Sequence, residues 1–239
     1  MSATTGSPVA VPPKNPSLLL FDGDVLSQFL IANEYAPFRV LKKHYHIQCA
    51  IVEAVDYELL QNRKFFAKIK ETYEKLLKTE ALIVLDDRSY PAFVNAPQAV
   101  SRAIAVLGTQ YHEKIDVGEA YTHSASVTLN IPVVSHDRKA LAAMDKAGFS
   151  YISPVLTAFD VLVFSYQCGA MSVGQCNAMR KALIAKGNEF MPEQFRNASF
   201  EDGLPNFSPR LVCSACAPVG AAIPEGVAVM TITPVIALV

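Results

Sequence analysis

Residues 17–26 read SLLLFDGDVL. A short apolar run closed by a turn signal predicts a buried strand over residues 17–21. The acid that ends it, Asp22, stands where the chain leaves the core. A carboxylate placed there costs free energy unless a partner compensates for it. Three further acids occupy comparable places: Glu58 in AIVEAVDYELL, Glu119 in IDVGEAYTHSAS and Asp137 in IPVVSHDRKAL. If the four converge they repel one another. A hard divalent cation removes that cost, because its preferred ligands are carboxylate oxygens.

Working outward, further strands are expected over residues 47–50, 81–85 and 131–135. Helices are expected over 25–36, 51–62, 64–78, 96–107, 118–129 and 139–147. Two more helices are expected between 154 and 186, on either side of Gly169-Ala170-Met171-Ser172. Strands that alternate with helices predict a parallel α/β sheet covered on both faces, a parallel-sheet α/β/α sandwich. Acids at the carboxyl ends of its strands lie where open sheets of this kind hold their sites. The expected organisation is a disordered Pro-rich segment over 1–16, a domain over 17–186, and a C-terminal extension of uncertain structure over 187–239.

Composition narrows the classes. The hydrophobic fraction is 51%, enough for a sizeable core, and the net charge is −1, so no overall basic field advertises nucleic acid. Any such contact must come from a local patch. The five cysteines, without a secretory signal, read as reduced thiols, and the expected location is cytoplasmic with no membrane association. Cys213-Ser-Ala-Cys216 has the spacing of half a zinc site, but no second pair with that spacing follows.

Each acid has neighbours that compete with it. Asp22 and Asp24 flank Gly23, which would let the backbone approach closely. Asp22 is favoured as the ligand, with Asp24 either as the cap of the helix beginning at Val25 or as a residue just behind the ligands. On the next helix, Ile51, Val52, Val55 and Leu59 define a buried face. At 100° per residue Glu58 falls about 70° from its centre and Glu53 about 150° away, so Glu58 is the better candidate. Glu119 lies inside its helix, among Ala120, Ser124, Ala125 and Ser126, which permit close packing. Asp116 lies one turn earlier as a candidate cap. His123 reads as a partly solvated imidazole, and Asp137 could also cap the helix that starts near Arg138.

These motifs together resemble the PIN-domain nucleases, over about residues 18–186. The resemblance rests on Asp22-Gly-Asp24-Val-Leu26, Val55-Asp-Tyr-Glu58-Leu59, Gly118-Glu119-Ala120 and Ser135-His-Asp137. It implies a metal-dependent endoribonuclease that binds Mg²⁺ or Mn²⁺ through Asp22, Glu58, Glu119 and Asp137. It gives Glu53 and Asp116 no role. The partners expected are an RNA substrate, an antitoxin or other regulatory protein for a toxin-like member, and a second copy of the chain. Arg63, Lys64, Lys68 and Lys70, with Arg138 and Lys139, are the candidate phosphate contacts.

Two rivals stand beside this expectation. Asp22-Gly-Asp24-Val is similar to the opening motif of haloacid-dehalogenase-type phosphatases, with Asp86-Asp87 as late metal acids. The other rival is a non-catalytic PIN-like module that binds RNA or a protein and keeps these acids only as caps.

Overall fold

The computed structural model describes residues 17–89, 97–112, 115–146, 151, 153–185, 191–213 and 230–232. The segment 1–16 and Cys216 lie outside them. Strand β1 is Ser17–Phe21, followed by helices α1 (Gly23–Ile31) and α2 (Ala36–Tyr45). Strand β2 (Ile47–Val52) leads into α3 (Glu53–Gln61) and α4 (Arg63–Lys78), and β3 is Leu82–Leu85. Helices α5 (Pro97–Tyr111) and α6 (Val117–Leu129) precede β4 (Val133–Val134), α7 (Arg138–Lys146) and β5 (Val155–Leu156). Helices α8 (Ala158–Gln167), α9 (Val173–Ala185), α10 (Glu193–Arg196) and α11 (Phe200–Gly203) complete the helical part, and β6 (Leu211–Cys213) pairs with β7 (Met230–Ile232).

The main sheet has five parallel strands in the order β3-β2-β1-β4-β5, as expected of an α/β sandwich. β1 is central, with Leu20 opposite both Ala50 and Val133. From β1 the chain steps outward through β2 to β3. It then returns to the far side of β1 for β4 and β5. Right-handed crossovers put the helices of these two excursions on opposite faces. The strand order therefore reverses between β1 and β4, and a crevice opens at their carboxyl ends.

The expected helix over 25–36 is corrected at both ends. It starts at Gly23, because Asp22 supplies the cap: its Oδ1 accepts from the Val25 amide at 2.8 Å. Asp24 lies in the first turn and is not the cap. The helix stops at Ile31 because Asn33 adopts a left-handed φ of 56°. Its amide and that of Glu34 close back on the carbonyls of Leu30 and Phe29. Pro37 then begins α2, a helix absent from the sequence expectation. Phe21, Phe29 and Phe38 tie β1, α1 and α2 together, with ring centroids 5.0–6.3 Å apart. β2 is also longer than expected. Its six residues are all buried, so Ile51 and Val52 belong to the strand rather than to a helical face. β5 stands inside a region expected to be wholly helical.

Residues 191–213 pack on the same core as the sheet. The Phe195 ring stacks on Phe159 of α8 at 4.7 Å and on Phe200 at 5.6 Å, and meets Phe207 at 5.2 Å. The Asp160 carboxylate accepts from the Arg210 amide at 2.6 Å while also closing the capping box of α8 with Thr157. Phe195→Ala is expected to cost about 3–5 kcal/mol of stability, as a fully buried aromatic does. Urea unfolding measures it, and a loss below about 1 kcal/mol would mean that this segment only leans on the domain.

Candidate active site

Four chain segments deliver acids to the carboxyl end of the sheet. Asp22 ends β1 and Asp137 follows β4, so these two flank the crevice where the strand order reverses. Glu58 comes from α3, and Asp116 and Glu119 come from the start of α6. A cleft of about 260 Å³ lies between α1, α3 and α6. Its wall includes Asp24, Glu58, Asp116 and Glu119, with Ser27, Asn62 and Phe65.

Two of the four expected acids, Glu58 and Glu119, line this cleft, and Asp22 and Asp137 do not. Asp24 and Asp116, the neighbours ranked below them, do line it. Asp22 and Asp137 join the group electrostatically through Glu119. The Glu119 carboxyl is raised to about 9, first by burial, then by a hydrogen bond with Asp137 and by the charges of Asp137, Asp22 and Asp116. Burial opposes charge on Asp137 as well, but the Glu119 proton and the amides of Ala140 and Lys139 outweigh it and hold this carboxyl below its ordinary range. Of this pair, Glu119 is the carboxyl biased toward its neutral form and Asp137 the one biased toward its charged form.

Asp22 is 1% exposed. Burial raises its carboxyl to about 6, although Ser135 and the Val25 amide favour its charged form. Its Oδ1 is engaged as the α1 cap, while Oδ2 has no hydrogen-bond partner. A buried polar atom left in this state is rare in folded chains. Glu58 is exposed at the cleft wall, and its carboxyl is raised by the part of it that is shielded from solvent and by the charges of Asp116 and Asp24, against the pull of the Gly118 amide. That amide donates to Glu58 Oε1 at 2.8 Å.

Gly118 leaves the space that the Glu58 carboxylate occupies. A Cβ there would stand 2.3 Å from Glu58 Oε2. Gly23, expected to allow a close approach, has room for a methyl: its nearest neighbour, Val55 Cγ1, would lie at 3.5 Å. Glu53 is exposed and does not line the cleft. His123 is fully buried rather than partly solvated, and burial lowers its imidazole to about 4. Its Nδ1 pairs with the Tyr151 hydroxyl at 2.7 Å, and its Nε2 has no partner. Asn62 and Ser27 were not singled out in the sequence. Asn62 is legible in hindsight as the cap of α4, accepting from the Phe65 amide at 3.2 Å.

In this conformation no three His, Cys, Asp or Glu side chains among the described residues stand close enough to hold a metal ion. Asp22, Glu58 and Asp137 each place an oxygen on a backbone amide, of Val25, Gly118 and Ala140. The donor chemistry nevertheless fits a hard divalent cation. Every donor is a carboxylate oxygen, one buried oxygen lacks a partner, and burial and neighbouring acids oppose charge on Glu119.

The haloacid-dehalogenase-type arrangement finds less support. Asp86 and Asp87 follow β3, which β2 separates from β1. Asp86 accepts from the amides of Arg88 and Ser89, and Asp87 accepts from the Ser101 hydroxyl. Neither lines the cleft. No protein-family model, no curated protein and no solved structure matches this chain.

Two predictions follow from the charges and the glycine. Folded Glu119 keeps its proton to about pH 9, whereas the unfolded chain releases it near 4.5. Between these values the folded state binds more protons, so stability falls as pH rises. Asp22 acts in the same direction between 3.8 and about 6. Glu119→Gln should flatten this slope. Discounted for the solvent that reaches the side chain, the gain near pH 7.5 is about 1 kcal/mol, or roughly 2–4 °C in Tm. Scanning calorimetry across pH tests it, and an unchanged slope would contradict the neutral Glu119. Gly118→Ala should leave Tm within about 2 °C, because the clashing atom is the end of a flexible side chain. It should nevertheless displace Glu58, visible as a changed Glu58 carboxyl resonance in NMR titration.

Proposed function

We propose that the chain is a metal-dependent ribonuclease that hydrolyses phosphodiester bonds at the cleft lined by Asp24, Glu58, Asp116 and Glu119. The observation that supports this most is the crowding of acids at one end of the sheet, where Glu119 is biased toward its neutral form by Asp137, Asp22 and Asp116 and one buried oxygen of Asp22 has no hydrogen-bond partner. Acids crowded until one must stay neutral are suited to a cation rather than to a structural role. The acids lie at the carboxyl ends of β1 and β4, at the crevice where parallel sheets of this order take ligands.

Glu58, Glu119, Asp22 and Asp137 would hold Mg²⁺ or Mn²⁺, with Asp24 and Asp116 adding negative charge at the rim. Such an ion supplies Lewis acidity toward the phosphate and lowers the pKa of an attacking water. The chain's own residues do the rest. Gly118 sets the reach of Glu58 through its amide. Asp22 fixes the start of α1 with one oxygen and leaves the second without a hydrogen-bond partner. Asn62, Ser27 and Phe65 shape the remaining wall. No side-chain nucleophile is required.

Backbone phosphates need cations beside this acidic rim. Arg63, Lys64 and Lys68 are exposed on the first half of α4, next to the wall residues Asn62 and Phe65. Arg138 and Lys139 are exposed beside Asp137. Lys70 pairs with Glu74 at 3.6 Å and belongs to a solvated helix face. An RNA substrate, with an antitoxin-like regulator for a toxin-like role, remains the reading that these features serve. Among the described residues no helix is long and apolar enough to cross a membrane.

Cleavage of a mixed RNA pool in Mn²⁺ tests the proposal. Asp22→Asn should lower the rate by roughly a hundredfold or more. Glu58→Gln should do the same, while Glu53→Gln should cut at the wild-type rate. Equal cleavage by wild type and Asp22→Asn would overturn the site. A colorimetric phosphatase assay on the same samples separates phosphomonoester chemistry from RNA cleavage.

A further inference from the structure

A second cleft, of about 510 Å³, is formed by the turn after α1, one face of α2 and Gln175 of α9. It lies toward the edge of the sheet where the strands begin. α1 leaves the carboxyl end of β1, and α2 delivers the chain to the first residue of β2. β2 alone is about 20 Å long at roughly 3.3 Å per residue, so about a strand's length separates this cleft from the acidic one.

Its charge is opposite to that of the acidic cleft. Arg39 and Lys43 are one helical turn apart on α2, both exposed, with His44 beside them. Lys42, their neighbour, is engaged elsewhere: its Nζ meets the Thr79 carbonyl and the Glu80 carboxylate, each at 3.1 Å. Among the described residues neither Arg39 nor Lys43 forms an ion pair. Tyr35 orders the rim, with the Arg39 guanidinium 5.9 Å and the Lys75 ammonium 4.0 Å from its ring centre. The one acid in the described wall, Glu34, accepts from Gln175 Nε2 at 3.3 Å, and burial raises its carboxyl. The wall therefore presents a planar guanidinium fork and an ammonium group against a single acid that is already hydrogen-bonded. A fork and an ammonium together recognise phosphate oxygens. The volume falls within the range of small-ligand sites.

We propose that this cleft is a separate binding site for a phosphate-bearing ligand of nucleotide size, held by Arg39 and Lys43. It does not depend on the acids at the other end of the sheet. Calorimetric titration of the full chain with ADP, in EDTA so that no metal recruits the nucleotide to the acids, tests it. Wild type should show saturable binding. Arg39→Ala and Lys43→Ala, both exposed changes that leave the core intact, should each weaken it roughly 10- to 100-fold, the effect of losing one charge-assisted hydrogen bond. Asp22→Asn should bind as wild type does. Absence of saturable binding, or affinity unchanged in both α2 variants, would overturn the site. So would an affinity changed in either direction in Asp22→Asn, which would tie ADP binding to the acidic group instead. Binding of a short single-stranded RNA without binding of ADP would overturn it in favour of a strand path along α2.

Discussion

The structure depends on where Asp22 stands. It ends the central strand, is almost wholly buried, and divides its two oxygens between two tasks. Oδ1 fixes the start of α1, the helix that turns the chain back over the sheet. Oδ2 is left without a partner at the crevice between β1 and β4. A neutral residue of the same shape would relieve the burial cost, so this position retains a group that weakens the fold at neutral pH. Its charge reaches Glu119, whose carboxyl burial and Asp137 already bias toward the neutral form. Stability is thus lost in one place, and the loss makes chemical sense if a cation completes the group.

Much of the sheet was legible because its central strands carry their signal locally. LLLF is an apolar run with no competing period and Asp22 marks its end, whereas IQCAIV was legible only as far as Ala50, because Ile51 and Val52 also fit a helical face. α2 was not legible, because apolar residues continue past Ile31. The break comes from the left-handed Asn33 and from Pro37, and Asn33 is held from outside by the Thr72 hydroxyl at 2.6 Å. β5 has only two residues, and its pairing with β4 defines it more than its own sequence does.

The candidate site shows the same division. The acid-bearing segments were visible, yet the choice among neighbouring acids depended on contacts that local periodicity does not encode. The helical face used to select Glu58 included Ile51 and Val52, which are strand residues. What holds Glu58 at the cluster is an amide 60 residues away in sequence, at a glycine where any side chain would collide with it. Asp24 and Asp116 read as caps from sequence. Asp22 caps α1 in place of Asp24, while Asp116 does stand at the N-cap position of α6, though without a side-chain hydrogen bond, and both line the cleft because α1 and α6 begin at the same end of the sheet.

The central claim is that a divalent cation takes the place of the proton on Glu119, beside Asp137. Calorimetric titration of Mn²⁺ near pH 7, repeated in buffers of different ionisation enthalpy, counts the protons released on binding. The account predicts about one proton released per ion, and a much smaller release in Glu119→Gln. Absence of Mn²⁺ binding, or binding that releases no proton, would contradict it.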